Sequence, residues 1–228
     1  MSGKGNTALA ARSDGMATLR RVEAGGESVP RRPRRRRAPA EAEQEILAAA
    51  EGLLRERPFR ELTVDAVMRR TELSRPSFYV YFRDRHQLVL RVVERIRGEL
   101  FAVSERWYRG EGDGRTLARE AAQGIVAVFA WHGRVLRALA DAAADDPEVE
   151  SAYEALVESF VAPTAEHIER EIAAGRVLPL DARETAKALV WMMERYLSLS
   201  LGREPATDPA VVVETLATIW GRTLYGGE

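Results

Sequence analysis

The chain has 228 residues, 46% hydrophobic and 30% charged, with a formal net charge of −1 and no cysteine. That is enough apolar material for one large or two small packed domains, and it excludes disulfides, thiolate metal sites and a cysteine nucleophile. The longest apolar run, Ile125 to Trp131, falls well short of the roughly 18–20 residues of a membrane span, and the N-terminus lacks the apolar core of a secretory signal, so no membrane association and a cytoplasmic location are expected.

The near-neutral total hides a gradient. Residues 1–40 hold ten Lys and Arg against three acids, residues 41–87 eight against nine, and residues 88–228 sixteen against twenty-three. A polyanion would draw in the first segment and repel the last, which orients the molecule on approach.

Residues 1–38 are rich in Gly, Ser, Arg and Pro without any period, which reads as a disordered basic arm. Its centre is RRPRRRR, with Arg34, Arg35, Arg36 and Arg37 nearest the folded part. Two readings stay open: an arm that enters the minor groove of DNA or lies along its phosphates, and a solubilising tail. Counterion release by six closely spaced arginines favours the first. A lipid-surface helix is disfavoured, because Pro30, Pro33 and Pro39 flank or interrupt the run.

Residues 39–87 read as three helices. From Glu41, Ile46, Leu47, Ala50, Leu53 and Leu54 recur with helical spacing, and the pattern stops before Pro58. Thr63 is a good N-cap for a second, short helix whose apolar face is Leu62, Val64, Val67 and Met68. After a turn at Thr71 to Leu73, Ser74 is expected to cap a third helix with Pro76 in its first turn and Phe78 and Phe82 facing inward. Arg75, Ser77, Tyr79, Val80 and Tyr81 cover the rest of that helix, and such groups suit phosphates and base edges.

Asp84 should cap a long helix running to about Arg109, with Leu88, Val92, Ile96 and Val103 as its apolar stripe. It is the natural lever between a DNA-reading head and the remainder, residues 88–228. His86, His132 and His167 have no metal spacing and no neighbouring nucleophile, so structural roles are expected, although His86 could touch a phosphate. The glycines of GEGDG at 110–114 break the helix, and Glu111 and Asp113 repel phosphate, which argues against a nucleotide loop.

Five further helices are expected at about 115–131, 134–142, 147–174, 181–201 and 208–224, with no strand alternation. The fold class is therefore all-α with about nine helices. Tyr153, Leu156, Val157 and Phe160 share one helical face, and Leu189, Val190, Met193 and Tyr196 another. Periodicity allows each to fill a core or line a cavity. Leu189, Val190, Leu197, Val212, Leu216 and Leu224 form apolar faces on the last two helices. These suit either an intramolecular core or a four-helix seam between two subunits, and the seam is the expectation, since a two-fold dimer presents two heads to DNA.

The Thr-capped helix, the turn, Tyr and Phe spaced by two residues and the following basic residue are Thr63, Tyr79, Phe82 and Arg85. This head resembles the N-terminal domain of the TetR family of transcriptional regulators. SRPSFYVYF, MMERY and TIWGRTLYG are similar to its EthR-like (ethionamide-regulator-like) branch, so the resemblance runs from about Pro39 to the end. It departs in the turn, where the family's small residue and Gly are Thr71 and Glu72, and at Met68, where the family has a small Ala.

The resemblance implies a helix-turn-helix head, with DNA contacts at Thr63, Arg75, Pro76, Ser77, Tyr79, Val80, Tyr81 and Arg85. It implies a homodimer on double-stranded operator DNA. It also implies a small effector in a tunnel through the body, lined by Phe129, Tyr153, Val157, Phe160, Val190, Met193 and Trp220. The branch's polar amides on the penultimate helix are replaced by Val190 and Met193, so a drier chamber and a lipophilic effector are expected, with no arginine or carboxylate anchor identifiable. The expected function is a ligand-relieved repressor with no cofactor and no enzymatic activity; an activator, or a regulator without an effector, is the alternative.

Overall fold

A computed structural model describes residues 38–226. The arm, with Arg34, Arg35, Arg36 and Arg37, lies outside the described residues. Short polar caps set the helix starts. The Thr63 hydroxyl accepts from the Ala66 N–H at 3.1 Å, and carboxylates of Asp84, Asp113, Asp181 and Asp208 accept from Gln87, Thr116, Glu184 and Ala210 N–H groups at 2.9, 2.9, 3.0 and 2.9 Å. Each satisfies an orphan donor of a first helical turn.

Among the described residues there are nine α-helices and no strand: α1 Pro39–Glu56, α2 Val64–Met68, α3 Arg75–Tyr81, α4 Arg85–Arg109, α5 Gly114–Ala143, α6 Pro147–Glu158, α7 Val161–Ala173, α8 Ala182–Leu201 and α9 Pro209–Tyr225. A 3-10 turn, Phe59–Glu61, joins α1 to α2. The total matches the expectation, but two boundaries do not.

The expected break near residue 132 is absent, and α5 runs through it. Gly133 is a packing glycine: a Cβ there would lie 3.0 Å from the Leu201 carbonyl oxygen, so it lets the end of α8 approach the α5 backbone. Conversely, the helix expected over 147–174 is cut at Ser159 and Phe160. Pro163 explains the cut, since inside a continuous helix it would lack an N–H for the Ser159 carbonyl and its ring would clash there. In the third position of α7 it removes no bond.

The head packs α1, α2 and α3 around Phe78, Phe82, Ile46, Leu54 and Leu62, all essentially solvent-free, as the spacing predicted. Ser74 stands at the N-cap position of α3, yet its hydroxyl pairs with that of Ser77 at 2.9 Å and caps no backbone group. Along α4, Leu88, Val92 and Ile96 are buried, but Val103 is exposed; Leu100 and Trp107 continue the stripe.

Residues 38–226 pack around α5, the longest helix, which touches α1, α4, α6, α8 and α9. All six residues assigned to an inter-subunit seam are buried within the single chain, which corrects that expectation: Leu189, Val190, Leu197, Val212, Leu216 and Leu224 are core. The large apolar side chains left exposed on α8 and α9 are Leu199, Val211 and Ile219.

Two polar clusters tie α1 and α4 to the helices that follow. Glu51 of α1 is buried, receives a hydrogen bond from Arg95 of α4, and lies 3.6 Å from both Arg55 and His132 of α5. His132 pairs through its other nitrogen with Glu99 at 3.0 Å. At the start of α4, His86 meets the Asp146 cap of α6 at 2.9 Å, so it is a strap between α4 and α6 and not a free phosphate ligand.

Burial holds His132 and His167 below the ordinary imidazole pKa, outweighing the carboxylates beside them. The unfolded chain therefore binds more protons below the unperturbed value of 6.5, so this contribution is full above pH 6.5 and is lost as pH falls through the depressed folded values. Urea midpoints measured from pH 7.5 to 5.5 should decline, with a limiting slope of about 1.4 kcal/mol per pH unit for each histidine. His167→Gln should flatten the decline, and an unchanged slope would assign it elsewhere.

Candidate nucleic-acid interface and ligand chamber

The turn before α3 forms without glycine. Thr71 donates its hydroxyl to the Met68 carbonyl at 2.9 Å and accepts from the Leu73 N–H at 3.2 Å. The Glu72 N–H donates to the Glu45 carboxylate of α1 at 2.7 Å. Side chains thus satisfy the backbone, a local arrangement that Thr readily provides. Met68 is buried in the head core where the resemblance led to an expectation of Ala.

On α3 the outward side chains are Arg75, Pro76, Tyr79 and Val80. Val80 is 74% exposed and Tyr79 50%. Arg75 is held by Asp65 of α2 at 2.7 Å and sits 5.6 Å from the Tyr79 ring centre. Thr63 is exposed beside them, and since its oxygen already caps α2, its O–H remains the group to offer a phosphate. Ser77 is half-buried.

Tyr81 and Arg85 are placed differently from the rest. Tyr81 is half-buried and packs on the head core, and the Arg85 guanidinium lies 4.8 Å over the Phe59 ring. Arg83, which the sequence reading passed over, is more exposed than either and pairs with Asp84 at 2.7 Å. Its signal was only a cation directly after the last buried residue of the helix.

Behind the head, α4 through α9 line an apolar cavity of about 80 Å³. Phe129, Tyr153, Val157, Phe160, Val190, Met193 and Trp220 all line it, and α4 contributes Leu100, Ser104, Trp107 and Tyr108. Phe160 stacks on Phe101 with ring centres 4.4 Å apart, and Trp220 meets Trp107 edge-on at 5.5 Å. Burial pushes the Tyr108 hydroxyl up to about 12, so it stays a neutral hydrogen-bonding group.

The wall is not uniformly dry. Glu194 lines the cavity at 7% exposure and accepts a hydrogen bond from the Tyr153 hydroxyl. Burial, and next the Glu194 charge, drive the Tyr153 hydroxyl far above its usual range. This carboxylate lies on the same helical face as the expected lining, since Val190, Met193, Glu194 and Leu197 follow an i, i+3, i+4, i+7 pattern.

The regions that carry these two sites match known families. Residues 46–92 match the model for bacterial regulatory proteins of the tetR family, and residues 118–226 match the C-terminal domain of the transcriptional regulator EthR. The HTH-type transcriptional regulator EthR of Mycobacterium tuberculosis is 33% identical over 189 residues, covering 79% of this chain and 86% of the relative. The chain belongs to the TetR family of transcriptional regulators. Its EthR relative in Mycolicibacterium smegmatis is 29% identical over 206 residues, covering 87% of this chain and 95% of the relative.

The fold agrees. A TetR-family regulator from Syntrophomonas wolfei, described as putative, has a TM-score of 0.72 at 16% identity, covering 81% of this chain and 95% of that one. In this TetR-family chain the stretch between the two matched regions, residues 93–117, is mostly α4, the helix that starts beside α3 and ends in the chamber wall. As in the family at large, the chain is a DNA-binding regulator, and among the described residues no helix is long and apolar enough to cross a membrane.

Proposed function

We propose that the protein is a cytoplasmic, homodimeric repressor, with residues 39–87 as DNA-binding head and 88–228 as sensing and dimerisation body. Its α3 enters the major groove of operator DNA, and a small lipophilic effector in the chamber relieves that binding. The observation that carries this reading is the course of α4. Asp84 and Arg85 start it directly after the recognition helix, and Leu100, Ser104, Trp107 and Tyr108 line the cavity near its other end.

A cavity of about 80 Å³ is smaller than the roughly 300–1,000 Å³ of pockets for drug-sized ligands, so such an effector must push the walls apart. Displacing α4 moves the head with it. A coupling of about 1–3 kcal/mol would then weaken operator binding about 5- to 150-fold.

On the operator, Thr63 and Tyr79 serve phosphates, and Arg75, once released from Asp65, reads guanine, with Ser77 and Val80 toward base edges. Arg85 and Tyr81 reach DNA only if Arg85 leaves the Phe59 ring and Tyr81 swings out of the head core. The second subunit joins through the exposed face of Leu199, Val211 and Ile219 on α8 and α9, so that two heads meet a two-fold operator.

A footprint on the DNA upstream of the protein's own coding sequence tests the reading, with a two-fold symmetric protected site expected. Tyr79→Ala should weaken binding evenly across operator variants, whereas Arg75→Ala should also relax preference at one base pair, by about 1–3 kcal/mol. Unchanged affinity and selectivity in both variants would remove α3 from the interface.

A further inference from the structure

The chamber contains a buried carboxyl group with only one of its oxygens partnered. Of the two Glu194 carboxylate oxygens, one accepts from the Tyr153 hydroxyl, and the other is shielded from water with no hydrogen-bond partner. None of the lining residues is Lys, Arg or His. Arg195, next in sequence, is exposed; its charge acts on the Tyr153 hydroxyl, but it does not line the cavity. A buried carboxylate is normally matched by a cation or by donors to both oxygens, because desolvation otherwise disfavours it. Elsewhere in this chain that rule holds: Glu51 has Arg95 and Arg55, and Glu171 has Arg176 at 2.6 and 2.8 Å.

The remaining wall defines what could supply the missing partner. Trp107, Phe129, Phe160, Trp220 and the aliphatic side chains around them offer an apolar, aromatic enclosure beside a single acidic point. Aromatic faces also attract cations. We propose that Glu194 is the polar anchor of the chamber and that the effectors it selects are amphiphilic amines, a protonated nitrogen on a lipophilic, aromatic-compatible body. The nitrogen donates to the free Glu194 oxygen while Tyr153 continues to hold the other. The proposal rests on the chamber being the effector site.

Three soluble probes that share one body separate the possibilities: 4-phenylbutylamine, 4-phenylbutanol and 4-phenylbutyrate. Titration of the full-length protein by calorimetry, with tryptophan fluorescence as a second readout, should rank the amine first, then the alcohol, then the acid. An amine preference over the acid of about 30-fold or more is expected, the low end for a buried charge pair.

Glu194→Gln keeps the shape and removes the charge, so it should collapse that ratio to a few-fold while alcohol binding is retained. Tyr153→Phe should preserve the amine preference, since it deletes only the internal donor. The ranking in the unaltered protein stands as a test even if Glu194→Gln folds poorly. Alcohol bound as tightly as amine would mean a protonated Glu194 and overturn the anchor while leaving the chamber reading intact. A preference that survives Glu194→Gln would also overturn it. No binding of any of the three would remove the effector chamber and the anchor with it.

Discussion

Removal of residues 1–37 should flatten the salt dependence of operator binding by about 5 in the slope of log K against log salt, if all six arginines of RRPRRRR reach phosphates. Each neutralised phosphate releases close to one counterion, so the arm's share of the affinity is largest in dilute salt. Between 50 and 200 mM salt, the advantage of the full chain over the truncated one should shrink about 10³-fold. The head itself cannot supply that slope, because residues 41–87 are electrically near balance, with eight basic against nine acidic side chains. Several of those arginines are also engaged internally: Arg70 with Glu56, Arg75 with Asp65, and Arg83 with Asp84. Superimposable salt curves for the two proteins would make the arm a tail and return the electrostatics to the head.

The head was the most legible part of the sequence, because each of its signals agrees with the others. Thr63 and Asp84 cap as their side chains dictate, and Phe78 of α3 and Phe82, the residue that ends it, are both buried. Where local rules compete, reading became less certain. Gly133 resembles a helix stop, but its lack of a side chain serves a close helix crossing that only tertiary structure creates. Pro163 breaks the helix expected over 147–174, although the apolar periodicity runs on across it. The six buried residues of α8 and α9 could not be divided between core and subunit seam, since both uses demand the same spacing.

The chamber was legible in part for the same reason. All seven candidate residues line the cavity, because large apolar side chains on inward faces of α5, α6, α8 and α9, and Phe160 at the start of α7, have few other places to go. The cavity's small volume and the Glu194 anchor were not readable. Volume depends on how several helices pack together. A glutamate in a helix is by default a solvated side chain, and only its position one turn after Val190 hinted otherwise. Likewise, the placement of Arg85 over Phe59 depends on the 3-10 turn between α1 and α2, which has no strong sequence signature.

Glu51→Ala is expected to give the largest loss of stability of any single polar substitution in the folded part. Glu51 is 3% exposed and is the shared acceptor of Arg95 from α4 and, at ion-pair distance, of Arg55 and of His132 from α5. Deleting it leaves two guanidinium groups and a buried imidazole facing one another with Glu99 as the remaining nearby acid on His132. Breaking a buried pair by removing one partner costs about 3–5 kcal/mol. Arg95 keeps 29% exposure, so water can take over part of its solvation and the lower end, about 3 kcal/mol, is expected here. For a chain of this size that corresponds to a fall in Tm of about 6–12 °C. A double-mutant cycle separates the pair from the site: Glu51→Ala combined with Arg95→Met should recover part of the loss, since of the two guanidinium groups only that of Arg55, 29% exposed, then faces the vacated position. The same cluster joins the first helix of the head to the lever and to the central helix, so the rescued double variant should also show whether head and body still respond together. If Glu51→Ala costs less than about 1 kcal/mol, in the range of an exposed ion pair, the cluster is hydrated in solution and the junction is held by apolar packing alone.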